Sequence, residues 1–370
     1  MTPEWTGGVI ARLLAGAWRP GNLHPELEAE EFERIAPLLH QTGTGALAWW
    51  CVRGTAFADT ETGEGFHQAY RLHTLEAEVH ALRLAEVLCR LDAAGIDALL
   101  IKGWALSRRY PEVGLRPYSD VDLIVRPGEA GAARAALAAP PELECAVDLH
   151  DGPSRVDALG FDQLAERAEV AQLGTHAVRI LGPEDHLRLV ALHALRHGVF
   201  RPIWLVDLAV CVEGRPPGFD WERCLGPIRR QGEWVIGAVA LAECLLGVRA
   251  EGTPAAGRPG ALPGWLIRAV LRNWARGTGT SHLAPVFDAL VAHRRHPRLA
   301  WAEARRRWDR PIEATLDVGG PFNALPRWPF QVIAAARRTR ELLIALRHAT
   351  APRRHNPRAG LTALVGLACL

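Results

Sequence analysis

Lysine is almost absent from this sequence of 370 residues. Of its 43 basic residues only Lys102 is a lysine, and every other one is an arginine. A lysine ammonium group is a compact point charge that a planar guanidinium does not imitate. Lys102 is therefore a candidate for a functional role, and the alternative is that one lysine survives by chance.

Other absences exclude whole classes of protein. The formal charge of +2 gives no broad field for holding nucleic acid or an anionic membrane. The seven cysteines include no CxxC pair, so we expect buried, reduced thiols and neither a disulfide framework nor a zinc cluster. Neither a secretion signal nor a run of apolar residues long enough to span a membrane is apparent, which predicts a cytoplasmic protein.

The composition is that of an ordinary globular protein, with 49% hydrophobic and 23% charged residues. A length of this order suggests two or three domains. Apolar residues recur at helical spacing from Leu72 to Cys89, and a glycine stop follows at Gly95. We expect this apolar stripe to lie in a core. The pattern along the chain predicts an N-terminal helical region (1–96), a core that contains strands (97–182), a helical domain (183–248), a Gly- and Pro-rich linker (249–264) and a C-terminal helical region (265–370).

Three short strands are predicted within about fifty residues of the core. Residues 97–101 form a short apolar run, and residues 120–125 and 143–150 alternate with period two. An alanine-rich helix is predicted between the last two, at 128–139. The expected fold class is therefore α+β, with a small mixed sheet embedded in a mostly helical protein.

Acidic residues mark one face of two of these strands. Asp120 and Asp122 are two apart and share a face, and Asp148 and His150 share a face of the later strand. If the two strands are neighbours, three carboxylates converge, and such a cluster needs a divalent cation to be stable when ionised. Mg²⁺ prefers oxygen ligands and commonly bridges carboxylates to substrate phosphates, with Mn²⁺ as an alternative. The other interpretation of a lone Asp-x-Asp is a solvated strand edge.

The sequence around these carboxylates resembles a bacterial family of nucleotidyltransferases with the polymerase-beta-like fold. The resemblance depends on KGWALSRRY (102–110), RPYSDVDLIV (116–125) and VDLH (147–150). Members have Lys-Gly after the first strand, an arginine before Asp-x-Asp, and a later Asp that is often followed by His. The helical stretch 183–208 is also similar, and the resemblance covers roughly residues 75 to 235.

The resemblance implies that Asp120, Asp122 and Asp148 are the metal ligands and catalytic carboxylates. Many enzymes of the wider fold have Gly-Ser or Gly-Gly after the first strand, where this chain has Lys102, Gly103 and Trp104. Trp104 supplies no hydroxyl to the nucleotide phosphates. Lys102 can bring its charge to them instead, beside Gly103.

Four further residues are candidates near the site. Arg116 either binds phosphate through both arms of its guanidinium or pairs with one of the two neighbouring aspartates. His150 is a candidate general base or orienting group, and His193 and Asp207 are possible accessory residues. His193 belongs to a histidine stripe on one predicted helix, but residue 194 is alanine, so the glutamate of a HExxH zinc motif is missing.

The function that these inferences predict is transfer of a nucleoside monophosphate from a triphosphate such as ATP to an acceptor. The acceptor is a peptide natural product, a small molecule or a protein. The alternative is a weakly active or inactive protein of the same fold that binds a nucleotide or a partner, which Trp104 favours. Neither hypothesis predicts a nucleic-acid or membrane partner.

Overall fold

The computed structural model describes residues 2–21, 25–138, 146–153, 159–277, 296–299, 301, 308 and 310–350, of which 259, 342, 343 and 345–350 are described by their backbone only. The chain divides into two compact units, residues 1–278 and 279–370. The sheet and the candidate site belong to the first unit. None of the described helices is both long and apolar enough to cross a bilayer.

Four helices precede the sheet in the described part of the chain: α1 (Pro3–Leu14), α2 (Ala29–Gln41), α3 (Gly45–Val52) and α4 (Glu61–Ala93). The hydroxyl of Thr60 accepts a hydrogen bond from the Gly63 amide and so caps the start of α4. The helix ends before Gly95, which has a φ of +71°. The predicted glycine stop is therefore confirmed.

Five strands form one mixed sheet: β1 (Ala98–Leu100), β2 (Asp120–Val125), β3 (Ala146–Asp151), β4 (Glu169–Leu173) and β5 (His176–Ile180). Their order across the sheet is β3-β2-β1-β5-β4. β2 runs parallel to β3 and antiparallel to β1, which runs parallel to β5. The parallel pairing of β2 and β3 needs a crossover, and α6 (Ala130–Leu137) lies between them in the chain. The predicted start of the third strand, residues 143–145, lies outside the described residues.

Apolar side chains cover both faces of this sheet. On one face, Val121, Leu123 and Val125 of β2 pack with the C-terminal part of α4 and with α6. On the other, Ile124 packs with residues of α7 (Phe161–Glu166) and with Leu189 of α8 (Pro183–Arg196). The sheet is thus a buried layer between helices, and the expected α+β class is confirmed.

The helices after the sheet in the first unit are α8, α9 (Pro202–Glu213), α10 (Trp221–Leu225), α11 (Arg229–Leu246) and α12 (Gly264–Arg276). Residues 221–246 form two helices, α10 and α11, and not one continuous helix. Gly226 has a φ of +70° and Pro227 follows it, which ends α10 and lets α11 start in a new direction. α12 packs mainly on α1, at the other end of this unit's sequence.

The apolar stripe of α4 was expected to lie entirely in a core, and half of that expectation is wrong. Leu84, Val87, Leu88 and Leu91 are buried against the sheet. The first half of the stripe, Leu72, Leu75, Val79 and Leu82, is between 45% and 75% exposed. The middle of α4, residues 72–82, turns this side away from the packed layers.

The cysteine expectation also needs a correction. The five described cysteines are free, as expected, and Cys51, Cys211 and Cys224 are buried. Cys89 and Cys244 are exposed. A thiol at those two positions lies on the helix surface.

α5 (Trp104–Ser107) is a short helix of the first unit, between β1 and β2. In the described part of the second unit, two helices pack on each other. They are α13 (Pro311–Asp317) and α14 (Trp328–Thr350), and Arg338 forms an ion pair with Asp317 between them. Residues 318–327 connect the two helices.

Candidate functional site

The pairing of β2 with β3 aligns the acidic faces of the two strands. Asp122 lies directly opposite Asp148, and Ile124 lies opposite His150. Because side chains alternate along a strand, the carboxylates and the imidazole emerge on the same side of the sheet. The expectation that these two strands are neighbours with their acidic faces aligned is confirmed.

A group of three potential metal ligands results. Among the described residues, Asp122, Asp148 and His150 offer ligand atoms that all lie within 4.8 Å of one another. Nε2 of His150 is 3.5 Å from Oδ1 of Asp122 and 3.5 Å from Oδ2 of Asp148. Asp120, which was predicted as a ligand, does not belong to this group, and His150 occupies the third position.

Asp122 is the buried centre of the site. It is only 3% exposed, and Nζ of Lys102 lies 2.7 Å from its Oδ1. Burial by itself would raise the pKa of Asp122, but the hydrogen bond from His150 and the charge of Lys102 outweigh it and lower that pKa. Asp122 is thus an ionised carboxylate at neutral pH.

Asp120 has the opposite electrostatic environment. Its pKa is raised, first by burial and then by the neighbouring Asp122, and Lys102 offsets only part of this. A carboxylate in this condition gains from a nearby cation, which would relieve its repulsion with Asp122. Asp120 can therefore act beside the three-ligand group without belonging to it.

Gly103 lets the chain pass close to β2. Its φ is +52°, and a Cβ there would lie 3.2 Å from the carbonyl oxygen of Asp120 and 3.4 Å from the Tyr118 ring. A side chain at this position would be both strained and crowded. Gly103 thus holds the Lys102 turn against the first residue of the acidic strand.

Trp104, the departure from the wider fold, does not enter the site. Its indole packs against the hydrophobic core beneath α4, and the guanidinium of Arg108 lies 5.8 Å from its ring centre. Ser119, the residue before Asp120, lines the neighbouring pocket. A hydroxyl is therefore available near the carboxylates from a different position.

A pocket with a volume of about 510 Å³ opens above the carboxylates. Four parts of the chain line it: the α2–α3 turn, the side of α4, the strands with the Lys102 turn, and the helices α8 and α9. Lys102, Asp120 and Asp122 lie in its wall, so the metal-ligand group and the pocket share Asp122. A cavity of this size can hold a small ligand beside the carboxylates.

Arg116 forms a buried network with Asp207 and Tyr110. Nε and Nη2 of Arg116 donate to the two carboxylate oxygens of Asp207 at 3.1 and 3.0 Å. The hydroxyl of Tyr110 donates to the same carboxylate at 2.7 Å. Arg116 also lines the pocket, but its fork is occupied by Asp207 and by neither aspartate of β2. The network fixes α9 to the loop that precedes the acidic strand.

The predicted histidine stripe is divided between two environments. His186 is fully buried, whereas His193 and His197 line the pocket and lie with their rings 4.6 Å apart. Burial, helped by Lys102 and His197, holds the pKa of His193 well below its usual value, so its imidazole is neutral. Trp204 contacts both pocket histidines and completes an aromatic wall.

Sequence reasoning missed the part of the pocket that comes from distant segments. His73 and Glu76 of α4 and Arg201 at the start of α9 line it. The helical spacing that predicted α4 could have shown that His73, Glu76 and His80 follow one another along one side of the helix. Arg201 carries no such signal, because arginine is frequent everywhere in this chain.

The geometry defines a mixed sheet with two carboxylates and a histidine that could hold a metal ion, beside a pocket that contains a lysine. A family described as uncharacterised nucleotidyltransferases matches residues 28–140 and 139–234, which is more than half of the chain. The chain belongs to this family of nucleotidyltransferases, and the family predicted from the sequence is confirmed. Neither a curated protein nor a solved structure is significantly similar to it.

Proposed function

We propose that this chain is a divalent-metal-dependent enzyme that transfers a nucleoside monophosphate from a nucleoside triphosphate to an acceptor, with pyrophosphate leaving. The observation that supports this proposal most is the sharing of Asp122. The same buried carboxylate belongs to the metal-ligand group and to the wall of a pocket that also contains Lys102. A metal ion and the phosphates of a bound nucleotide would therefore meet at the carboxylate of Asp122.

The roles of the residues follow from their positions. Asp122, Asp148 and His150 would hold the metal, and Asp120 would lie next to it. Bound there, the metal would neutralise phosphate charge and polarise the bond that is attacked. Lys102, on its flexible stem beside Asp122, would bring its positive charge to the phosphates. Gly103 keeps Lys102 close to β2.

The ligand set bears on which metal is preferred. Mg²⁺ favours oxygen ligands, whereas Mn²⁺ also accepts an imidazole nitrogen. A pair of carboxylates with His150 would fit Mn²⁺ at least as well as the Mg²⁺ predicted from the sequence. Both ions are therefore to be tested.

The acceptor is expected in the aromatic part of the pocket, beside His193 and Trp204. Their neutral, partly apolar surface suits an uncharged portion of a peptide or of another small hydroxyl-bearing molecule. His193 is neutral and can accept a proton from a hydroxyl as it attacks. This fits the predicted classes of acceptor without choosing among them.

The test is label transfer from two positions of the nucleotide. Purified protein is incubated with triphosphate labelled at the α- or the γ-phosphorus, with Mg²⁺ or Mn²⁺, and with a panel of hydroxyl-bearing peptides, sugars and antibiotics. Transfer of the α label alone supports nucleotidyl transfer, and loss of this transfer in Asp122→Asn ties it to the site. Transfer of the γ label would instead assign phosphoryl transfer.

The inactive alternative depended on Trp104, and Trp104 packs on the core outside the pocket. It therefore removes no group from the pocket. Metal-dependent nucleotide binding without transfer of either label would nevertheless favour that alternative.

A further inference from the structure

Arg201 places a guanidinium in the wall of the pocket, and this guanidinium is not paired with a carboxylate of the described residues. Its Nε donates to the carbonyl oxygen of Thr42 at 2.9 Å, and it forms no ion pair with any described residue. The other two cations of the pocket are already paired, Lys102 with Asp122 at 2.7 Å and Arg116 with Asp207 at 3.0 Å. Arg201 is thus the cation that is left to meet a ligand.

The surroundings of Arg201 disfavour its charge. Burial lowers the pKa of Arg201, and the positive charge of Arg116 lowers it further. Arg201 also occupies the N-cap position of α9, a helix of 12 residues, where the helix dipole is positive. A guanidinium remains charged even so, and a partly desolvated cation without a counter-ion is unfavourable. An anion bound at this point would offset that cost.

The chain makes room for this guanidinium at Gly43. Gly43 has a φ of +70°, and a Cβ there would lie 2.4 Å from Nη2 of Arg201. The absence of a side chain therefore allows the Arg201 fork to rest against the α2–α3 turn. Its central carbon lies 5.9 Å from the centre of the Trp204 ring on the other side. Two segments that are far apart in sequence hold Arg201 in the pocket wall.

We propose that Arg201, seated against Gly43, binds the β- or γ-phosphate of the nucleoside triphosphate. The inference rests on the proposed function, since it assigns part of the same pocket to its donor substrate. The triphosphate carries most of the negative charge of that substrate, and a guanidinium binds phosphate oxygens through two parallel hydrogen bonds. Lys102 and Arg201 then hold the leaving pyrophosphate from two walls of one pocket.

The experiment measures binding of three probes by calorimetry: the triphosphate with Mg²⁺, the corresponding monophosphate, and inorganic tripolyphosphate. Arg201→Gln is expected to weaken triphosphate and tripolyphosphate binding by at least about tenfold and to change monophosphate binding by less than about twofold. Arg201→Lys, which keeps the charge and loses the fork, is expected to fall between wild type and Arg201→Gln.

Gly43→Ala has a matched control in Gly95→Ala. The two glycines have φ values of +70° and +71°, but a Cβ at Gly95 meets nothing within 4 Å. Both variants carry similar backbone strain, and only the Cβ at position 43 would collide with Arg201. Gly43→Ala is expected to reproduce the Arg201→Gln binding loss, and Gly95→Ala is not.

Triphosphate and tripolyphosphate affinities in Arg201→Gln that stay within about twofold of wild type would overturn the subsite. Wild-type protein that binds neither the triphosphate nor tripolyphosphate would overturn it as well. Transfer of the α label that survives with an unchanged KM in Arg201→Gln would sink the subsite while leaving the proposed function intact. Triphosphate binding that depends on Arg201, in a protein that transfers neither label, would support the subsite and contradict the proposed function.

A separate observation concerns the exposed half of α4. Leu72, Leu75, Val79 and Leu82 are 55%, 68%, 45% and 75% exposed and follow one another at spacings of three, four and three. This is the spacing of a coiled-coil seam over two heptads. Contiguous exposed apolar groups of this kind mark interaction surfaces.

The charged residues that flank this apolar seam, Leu72, Leu75, Val79 and Leu82, form a self-complementary pattern. Arg71 and Glu78 lie along one edge, and Glu76 and Arg83 lie along the other. These four side chains form no ion pair within the described part of the chain. Residues at these positions face the partner helix in a coiled coil.

We infer that the seam pairs with the same seam of a second copy of this chain. In an antiparallel pair, Arg71 would face Glu78 of the partner subunit and Glu76 would face Arg83 of the partner subunit. In a parallel pair, Arg71 would face the partner's Glu76 and Glu78 would face the partner's Arg83. Every flanking contact joins opposite charges in both orientations, as a self-complementary twofold interface requires.

Sedimentation of the full chain over a range of concentrations tests this inference. A reversible dimer is expected, and Leu75→Glu should raise its dissociation constant at least about tenfold. Leu325→Glu, at a leucine that is 62% exposed elsewhere, is the control that should change nothing. A chain that stays monomeric at about 0.1 mM, or a dimer that tolerates Leu75→Glu, would overturn the inference.

Charge exchange then identifies the orientation. The double variant Arg71→Glu with Glu78→Arg preserves every attractive contact in the antiparallel pair and makes every contact repulsive in the parallel pair. The variant Arg71→Glu with Glu76→Arg does the opposite. One of the two is expected to dimerise like wild type and the other is not, and equal behaviour of both would count against the seam.

Discussion

The ammonium nitrogen of Lys102 lies 2.7 Å from Oδ1 of Asp122. The only lysine of the chain thus contacts the carboxylate shared by the metal-ligand group and the pocket. An ammonium group can rotate from a carboxylate to a phosphate about its flexible stem, whereas a guanidinium has a fixed planar fork. The rarity of lysine in the sequence and its position in the structure point to the same residue.

We expect Lys102→Arg to lower kcat/KM for label transfer by about 10- to 100-fold, because the charge is kept but its geometry is lost. Lys102→Gln should be at least as damaging. The reciprocal control is Arg108→Lys, at an exposed residue of the next turn. Steady-state kinetics with the acceptor found by label transfer provide the measurement, and full activity of Lys102→Arg would show that any cation serves there.

His150→Gln should change metal preference more than metal affinity in general. Loss of the imidazole is expected to weaken Mn²⁺ binding by about 10- to 100-fold and Mg²⁺ binding by less, because Mg²⁺ depends on the carboxylates. Titration calorimetry with each ion gives the ratio of the two dissociation constants. An unchanged ratio would place His150 outside the metal's ligands.

Asp148→Asn should weaken the binding of both ions. Its carboxylate is 60% exposed, so the substitution is expected to leave the fold intact. Asp162→Asn, in a carboxylate of α7 that is 75% exposed, is the control. If metal affinity and melting temperature in the presence of metal are the same for both variants, Asp148 does not hold the metal.

The Arg116, Asp207 and Tyr110 network should be essential for folding stability. Arg116 is 8% exposed and Asp207 is 2% exposed, so Asp207→Asn leaves an uncompensated buried guanidinium. We expect a loss of about 3–5 kcal/mol in the free energy of unfolding. Tyr110→Phe removes one hydrogen bond to a charged group and should cost about 2 kcal/mol. Urea unfolding of Asp207→Asn, Tyr110→Phe and the double variant gives the coupling energy between the two residues. A coupling energy of zero would show that the two side chains contribute independently.

His186 should make the fold sensitive to acid. Burial, together with the charges of Arg109 and Arg116, lowers its pKa from 6.5 to about 3. The unfolded chain binds a proton on this imidazole below about pH 6.5 and the folded chain does not, so stability is lost as the pH falls below that value. The contribution is about 1.4 kcal/mol per pH unit between the two pKa values. We expect His186→Leu to flatten the stability profile between about pH 6 and 4.5 relative to wild type, and parallel profiles would contradict it.

The sequence predicted the elements whose patterns are local. The alternation of residues 120–125 predicted β2 with the bounds that the structure has, and Gly95 predicted the end of α4. β4 and β5 were missed because Glu169–Leu173 and His176–Ile180 are only five residues long and mix polar or charged residues with apolar ones. They become strands by pairing with each other and with β1.

The candidate site was predictable in its strands and not in its outer wall. Asp122, Asp148 and His150 share faces that the two-residue period defines. The grouping of His150 with Asp122 and Asp148 depends on the register between β2 and β3, which the sequence does not specify. Arg201 reaches the pocket through a contact with Thr42, 159 residues away, and no local pattern predicts such a contact. The proposed domain boundaries and acceptor classes stay predictions.

The one-to-one pairing of β2 with β3 limits where insertions and deletions can occur in proteins of this family. A slip of one residue between the strands would bring Val147 and Leu149 beside Asp122 and turn Asp148 and His150 toward the apolar layer under α4 and α6. Length changes in the α6–β3 connection are therefore tolerable only where the register is kept, while those inside either strand would erase the ligand set at once. A comparison of insertions at these places across natural relatives would show whether the register between β2 and β3 is preserved.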